Sequence, residues 1–299
     1  MSRFILTIII ISFISIEANA QRNGILPFSG IKYFRNGIWG KSFELKIKDE
    51  TWMGNKIPIN TEYEIELLEP TGFIKDDQGK YHPGVSLLIT NSKKDTLGFA
   101  ENIFGDQTVG MDAFRFKSLT LTLGFNDKVK PGDTCYQYIT YYDKKGSSKL
   151  RLEFPVIIIE PTTDLQTTAS LYTASGTRGY NAHAGGGIEL NKIEAYIDST
   201  YYPKSLYYML RSAEMQGVTT EEINQGKFST WIYDENMNEM PISKPSNHFA
   251  AKTFKAGEQI NVLVKIALNP EDKKNKDYTA RYRWESLDGK KVLDIVNKF

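Results

Sequence analysis

The feature that most restricts the fold of this chain is a pattern that runs through it twice. Ser29-Gly30 opens a segment reaching Glu44-Leu45, Gly72-Phe73 begins a polar loop ending in Gln78-Gly79-Lys80, and Leu119 to Gly146 reads LTLTLGFNDKVKPGDTCYQYITYYDKKG. The same landmarks return in the same order. They are Ser175-Gly176, Glu189-Leu190, Gly217-Val218, Gln225-Gly226-Lys227, and Leu263 to Gly289 with LVKIALNPEDKKNKDYTARYRWESLDG. The separations are 146, 145, 147 and, at the closing glycines, 143 residues. A period near 145 is too long for a solenoid unit and suits two whole domains in tandem. The competing reading is one continuous domain whose halves share only sheet periodicity.

Within each half the hydrophobic period is two. Glu62 to Leu67, Leu119 to Leu123 and Ile260 to Ile266 alternate polar and apolar residues, as half-buried strands do. Val85 to Ile89 and Phe154 to Ile159 are continuous β-branched and apolar runs, which predict strands covered on both faces. Tyr278, Ala280, Tyr282 and Trp284 fall on one face of another strand, whose counterpart is the aromatic stretch Tyr136 to Tyr142. Pro131-Gly132, Lys145-Gly146 and Asp288-Gly289 punctuate these runs at hairpin spacing. Tyr207 to Met215 has helical propensity, but it repeats the strand at Tyr63 to Leu68 and is therefore read as strand. The one helical candidate is Thr219 to Asn224, where Thr219 and Glu222 have capping-box spacing. The expected fold is all-β, with two tandem immunoglobulin-like β-sandwich domains over residues 21–160 and 171–299 joined by a linker at 161–170.

Residues 1–20 read as a signal peptide: Arg3, an apolar run from Phe4 to Ile16, and a small-x-small cleavage pattern at Ala18-Asn19-Ala20. The run is too short to span a bilayer with normal flanks, and no longer apolar run follows. Cys135 is the single cysteine, so no intramolecular disulfide can staple the fold. With 37 basic and 36 acidic residues the formal charge is +1, which argues against nucleic-acid or anionic-lipid partners. The chain is thus expected to be exported, to the periplasm or the cell exterior of a bacterium.

Catalytic patterns are scarce. His82, His183 and His248 are the only histidines, none with another at ligand spacing, and no cysteine pair could hold zinc. His183 beside Gly185-Gly186-Gly187 resembles an anion or oxyanion loop, but its repeat counterpart at Asn36 to Gly40 lacks a histidine. No nucleophile elbow, phosphate loop or dinucleotide fingerprint occurs. Cys135 sits among aromatics in a predicted strand and reads as a small buried hydrophobe. Asp76-Asp77 and Asp234-Glu235-Asn236 could offer oxygen ligands to calcium, without the alternation of an EF-hand loop. No cofactor is expected. Paired carboxylates among Glu214, Glu221, Glu222, Asp234, Glu235 and Glu239 are the enzymatic alternative, a secreted carbohydrate hydrolase.

Four Trp, 17 Tyr and 16 Phe exceed what a sandwich core needs. Exposed aromatics on sandwich faces stack on sugars or anchor protein partners. Trp39, Trp52, Tyr142, Tyr202 and Trp231 are the candidate ligand-binding residues. The architecture resembles the tandem immunoglobulin-like modules common in bacterial envelope proteins. The Cys…Trp…Cys framework of antibody domains is absent, so the resemblance is topological. It implies a non-catalytic binding or scaffold protein that holds a protein or glycan of the cell envelope through loops or an exposed sheet face.

Overall fold

A computed structural model describes residues 22–26, 28–105, 110–125, 128–161, 172–175, 180–185, 188–202, 207–219, 226–240, 259–268, 278–287 and 289–298. For 172–175, 180–185, 188–202, 207–219, 226 and 259–268 it gives the strands and their pairing. The leader, the linker from Thr162 onward, His248 and the helical candidate after Thr219 lie outside the described residues.

The first half contributes β1 (Arg22–Ile25), β2 (Lys32–Asn36), β3 (Ser42–Ile47), β4 (Glu50–Thr51), β5 (Lys56–Pro58), β6 (Tyr63–Leu68), β7 (Pro83–Thr90), β8 (Thr96–Ala100), β9 (Ser118–Leu123), β10 (Thr134–Asp143) and β11 (Lys149–Ile159). The second contributes β12 (Tyr172–Ser175), β13 (Tyr180–Gly185), β14 (Ile188–Tyr202), β15 (Tyr207–Thr219), β16 (Gly226–Tyr233), β17 (Gln259–Leu268), β18 (Thr279–Ser286) and β19 (Val292–Lys298). The described helical content is one 3-10 turn, Arg115–Lys117. The molecule is all-β, and among the described strands pairing is antiparallel except where β5 runs parallel to β11.

A seven-stranded sheet, β1-β2-β11-β10-β7-β8 with β5 beside β11, faces a four-stranded one, β4-β3-β6-β9. The second half has a five-stranded sheet, β12-β13-β19-β18-β16, and a three-stranded one, β14-β15-β17. The order β1-β2-β11-β10-β7 corresponds strand for strand to β12-β13-β19-β18-β16, and β3-β6-β9 to β14-β15-β17. Tyr207 to Met215 lies in β15, paired with β14 and β17, so a segment of helical propensity is a strand, as expected from its likeness to Tyr63 to Leu68.

Side-chain alternation builds the first core. Tyr63, Ile65 and Leu67 of β6 face Ile139 and Tyr141 of β10 and Leu150, Leu152 and Phe154 of β11 in one buried cluster. Each such side chain contributes about 1.5–3 kcal/mol by leaving water. The cluster draws only on residues before the linker. Strands expected to be covered on both faces are covered fully on one. Phe154, Val156 and Ile158 are buried, but the intervening Pro155 is exposed and Ile157 and Ile159 are half-buried. A continuous apolar run carries no contrast between faces, so its sequence could not mark the outward one.

Three turns share one construction. Asp76, Asn91 and Asp234 each use a side-chain Oδ1 to accept from the amides two and four residues on, at 2.8–2.9 Å. The residue three positions on takes positive φ, at Gly79, Lys94 and Met237. These are Asx turns, whose side-chain oxygen substitutes for a backbone acceptor. Both candidate calcium loops therefore spend their leading carboxylate on their own backbone. The second oxygen of Asp76 meets His82 Nε2 at 2.7 Å, and that of Asp234 accepts from Asn238 Nδ2 at 3.0 Å. The His82 bond, with the Lys80 and Gln78 amides, holds the Asp76 carboxyl down at about 2.

The halves are locked by a buried charged node. Asp294 is fully buried and Arg281 is 8% exposed. Arg281 donates to Asp294 through Nε at 3.1 Å and Nη2 at 2.6 Å. Arg283 Nη1 reaches the same carboxylate at 3.2 Å. From the first half, the Phe28 amide donates to Asp294 at 2.9 Å, the Phe28 carbonyl accepts from both arginines, and the Met53 carbonyl accepts from Arg283 Nη2 at 2.6 Å. Apolar patches flank the node. Ile25 packs with Tyr233, Met237 and Val296, and Phe28 and Met53 with Val292.

Candidate functional site: a cleft between the two halves

Beside this node lies a cleft of about 760 Å3. One wall is the outward face of the seven-stranded sheet, the other is formed by β16 and β18. Its position follows from strand alternation. Cys135, Gln137, Ile139 and Tyr141 point into the sandwich, so Tyr136 and Tyr138 point out. Tyr136 is 38% exposed, between Pro155 and Thr90 on the neighbouring strands. On the opposite wall Trp231 lies with the Arg281 guanidinium 5.1 Å from its ring centroid. That is a cation–π contact, and both residues line the cleft.

The electrostatics are mixed. Lys32 donates to the Met237 carbonyl at 2.8 Å and sits 4.8 Å from the Tyr233 ring centroid. Burial lowers its pKa against the opposing pull of Glu153, Glu239 and Asp234. Burial likewise pushes the Tyr233 phenol up to about 12, partly offset by Arg281. Of the acidic residues, Glu153 accepts from Arg151 Nε at 3.0 Å and Glu285 from Arg283 Nε at 2.9 Å. Arg283 has all its reach committed to Glu285, Asp294 and the two carbonyls of the first half. Arg281 Nη1, by contrast, has no acceptor among the described residues.

The aromatic candidates separate. Trp231 lines the cleft. Tyr142 is half-buried on the same outward face of β10 as Tyr136 and Tyr138, where its ring lies flat on Gly84; a Cβ there would meet the ring at 2.3 Å. Trp39 is half-buried elsewhere, with its ring 4.9 Å from that of Tyr33 and 5.5 Å from the Arg35 guanidinium. Trp52 is 1% exposed and fills the first core, with its indole nitrogen lacking a hydrogen-bond partner among the described residues. Its ring offers no face to a ligand. Tyr202 ends β14 opposite Tyr207, and its side chain lies outside the description. Cys135 is buried in the first core, and burial raises its thiol.

Of the carboxylates considered for catalysis, Asp234 is bound into its turn and Glu239 lines the cleft. Glu214 lies in β15, Glu235 is exposed at the turn tip, and Glu221 and Glu222 fall outside the described residues. Among the described residues no group of three or more His, Cys, Asp or Glu side chains is arranged to hold a metal ion. Also among them, no helix is long and apolar enough to cross a membrane. Sequence reading missed Tyr136, Tyr138, Lys32, Arg281 and Arg283. The signal for the arginines was present: they occupy alternate positions between the aromatics of β18.

Neither a protein-family model nor a curated protein matches this chain. Among solved structures, one titled pT26-6p aligns with 93% of this chain at 10% identity and a TM-score of 0.21. The chain spans 64% of the length of that structure, and the superposition is too loose to transfer fold or function.

Proposed function

We propose that this is a secreted, non-catalytic binding or scaffold protein of the bacterial envelope, built from two tandem immunoglobulin-like sandwich domains, that holds a protein or glycan partner in the cleft between them. The observation that carries the reading is the cleft itself, with outward Tyr136 and Tyr138 on one wall and Trp231 on the other. Clefts of this size between folded units are common ligand sites. The tandem arrangement is supported by the matching strand orders and by a first core that draws on residues of one half alone. Export is supported by the leader pattern. The hydrolase alternative needs two carboxylates free to act, whereas Glu153 and Glu285 in the cleft are each held by an arginine.

The test is affinity capture from envelope extract by residues 21–299, with proteins and glycans both identified by mass spectrometry. The wild type captures a saturable partner, and Trp231→Ala or Tyr136→Ala/Tyr138→Ala loses it while remaining folded. Equal capture by the folded variants would overturn the assignment of the cleft. Turnover of a polysaccharide that is abolished by Glu239→Gln would establish the hydrolase instead.

A further inference from the structure

Resting on the reading of the cleft as a binding site, we infer that its ligand is an oligosaccharide bearing carboxylates, and that Arg281 Nη1 receives one of them. Arg281 is nine-tenths buried, and its Nε and Nη2 are spent on Asp294 and the Phe28 carbonyl. Nη1 remains without an acceptor among the described residues, on a side chain that lines the cleft. That nitrogen faces the cleft rather than being sealed in, and a carboxylate is the acceptor whose geometry best matches a guanidinium N–H. The nitrogen is held in that place by Gly30. A Cβ at Gly30 would lie 2.2 Å from Nη1, and its φ of +70° also favours glycine.

Two further observations point to an acidic sugar. The lining carries Lys32, Lys56, Lys227, Arg281 and Arg283 against Glu153, Glu239 and Glu285. Lys56 and Lys227 are exposed and form no ion pair among the described residues, so they are available to an anionic ligand at the rim. The aromatic faces of Tyr136, Tyr138 and Trp231 suit the C–H faces of sugar rings. An extended peptide would need a free strand edge to pair with. Of the wall strands, β10, β11 and β18 have neighbours on both sides and their backbone is already committed, so a peptide could pair only with the outer edge of β16, away from the Tyr136 and Tyr138 wall.

The test uses isothermal titration of residues 21–299 with oligomers of galacturonate, glucuronate and mannuronate, and with the same oligomers after their carboxyls are reduced to alcohols. At least one acidic oligomer binds, its reduced counterpart binds ten-fold or more weakly, and added salt weakens the acid alone. Lys56→Gln/Lys227→Gln, on exposed side chains that leave the fold intact, weakens the acid and spares the reduced form. Trp231→Ala weakens both. Equal affinity for acid and reduced forms would overturn carboxylate recognition and leave the cleft as a binding site. No binding across the panel, alongside Trp231-dependent capture of a protein, would overturn the glycan assignment alone. Acid binding indifferent to Trp231→Ala would place the ligand outside the cleft and overturn both readings.

Discussion

Asp294→Ala should be among the most damaging single substitutions in this chain. The carboxylate takes hydrogen bonds from Arg281, Arg283 and the Phe28 amide at 2.6–3.2 Å, with no exposure to solvent. Its removal leaves Arg281 with the Phe28 carbonyl as its only acceptor among the described residues. Breaking a buried ion pair by deleting one partner costs about 3–5 kcal/mol, because the remaining charge is stranded in low dielectric. Loss of the bond from the Phe28 amide adds about 1–3 kcal/mol. A domain's whole stability is about 5–15 kcal/mol, so the loss takes a large part of it. Urea unfolding followed by tryptophan fluorescence reads both halves at once, since Trp39 and Trp52 precede the linker and Trp231 and Trp284 follow it. The wild type should unfold in one transition. The variant should show an early transition for the second half, separated from that of the first.

The pH dependence checks the same reasoning. Burial alone would raise the Asp294 carboxyl, but the charges and hydrogen bonds of Arg281 and Arg283, with the Phe28 amide, outweigh it and hold the pKa below its ordinary value. A depressed carboxyl contributes stability that is full above the unfolded pKa, near 3.9, and is lost as pH falls through the native value. Asp294→Asn should therefore abolish part of the acid destabilisation seen below about pH 4. A cost under about 1 kcal/mol for Asp294→Ala, or an unchanged acid limb in Asp294→Asn, would refute the account of the node.

Three other outcomes are expected. Tyr63→Phe removes the hydroxyl that accepts from Gln137 Nε2 in the first core and should cost about 1–3 kcal/mol by denaturant titration, whereas Tyr63→Phe/Gln137→Leu, with no polar group stranded, should recover most of it. Cys135 is 1% exposed with its thiol raised by burial, first, and by Asp133, so a thiol reagent should label it only at the rate of unfolding; prompt labelling of native protein would contradict its position. Residues 21–161 alone should fold around their own core yet bind a hydrophobic dye through the uncovered Ile25, Phe28 and Met53, and addition of residues 171–299 should suppress that signal.

What the sequence determined by itself was periodic. Alternation in Glu62 to Leu67 and Leu119 to Leu123 specified strands and their inward faces, because a side-chain period of two leaves one buried set. Asp288-Gly289 marked the hairpin between β18 and β19, closed by the Ser286 amide on the Lys291 carbonyl. The repeat placed Tyr207 to Met215 in a strand against its own helical propensity, because pairing with β14 and β17 outweighs a preference worth tenths of a kcal/mol per residue. Aromatic content signalled a surplus but not its destination. Trp52 and Trp231 read alike in sequence, yet one fills a core and the other lines a cleft. Only tertiary structure could decide that, because the difference lies in which sheet each ring faces across a gap of 179 residues. The charged node was hidden for the same reason. Arg281 and Arg283 alternate on β18 as a solvated face would, and they are buried because Phe28 and Met53, more than 200 residues away in sequence, converge on them and on Asp294 of the adjoining hairpin strand.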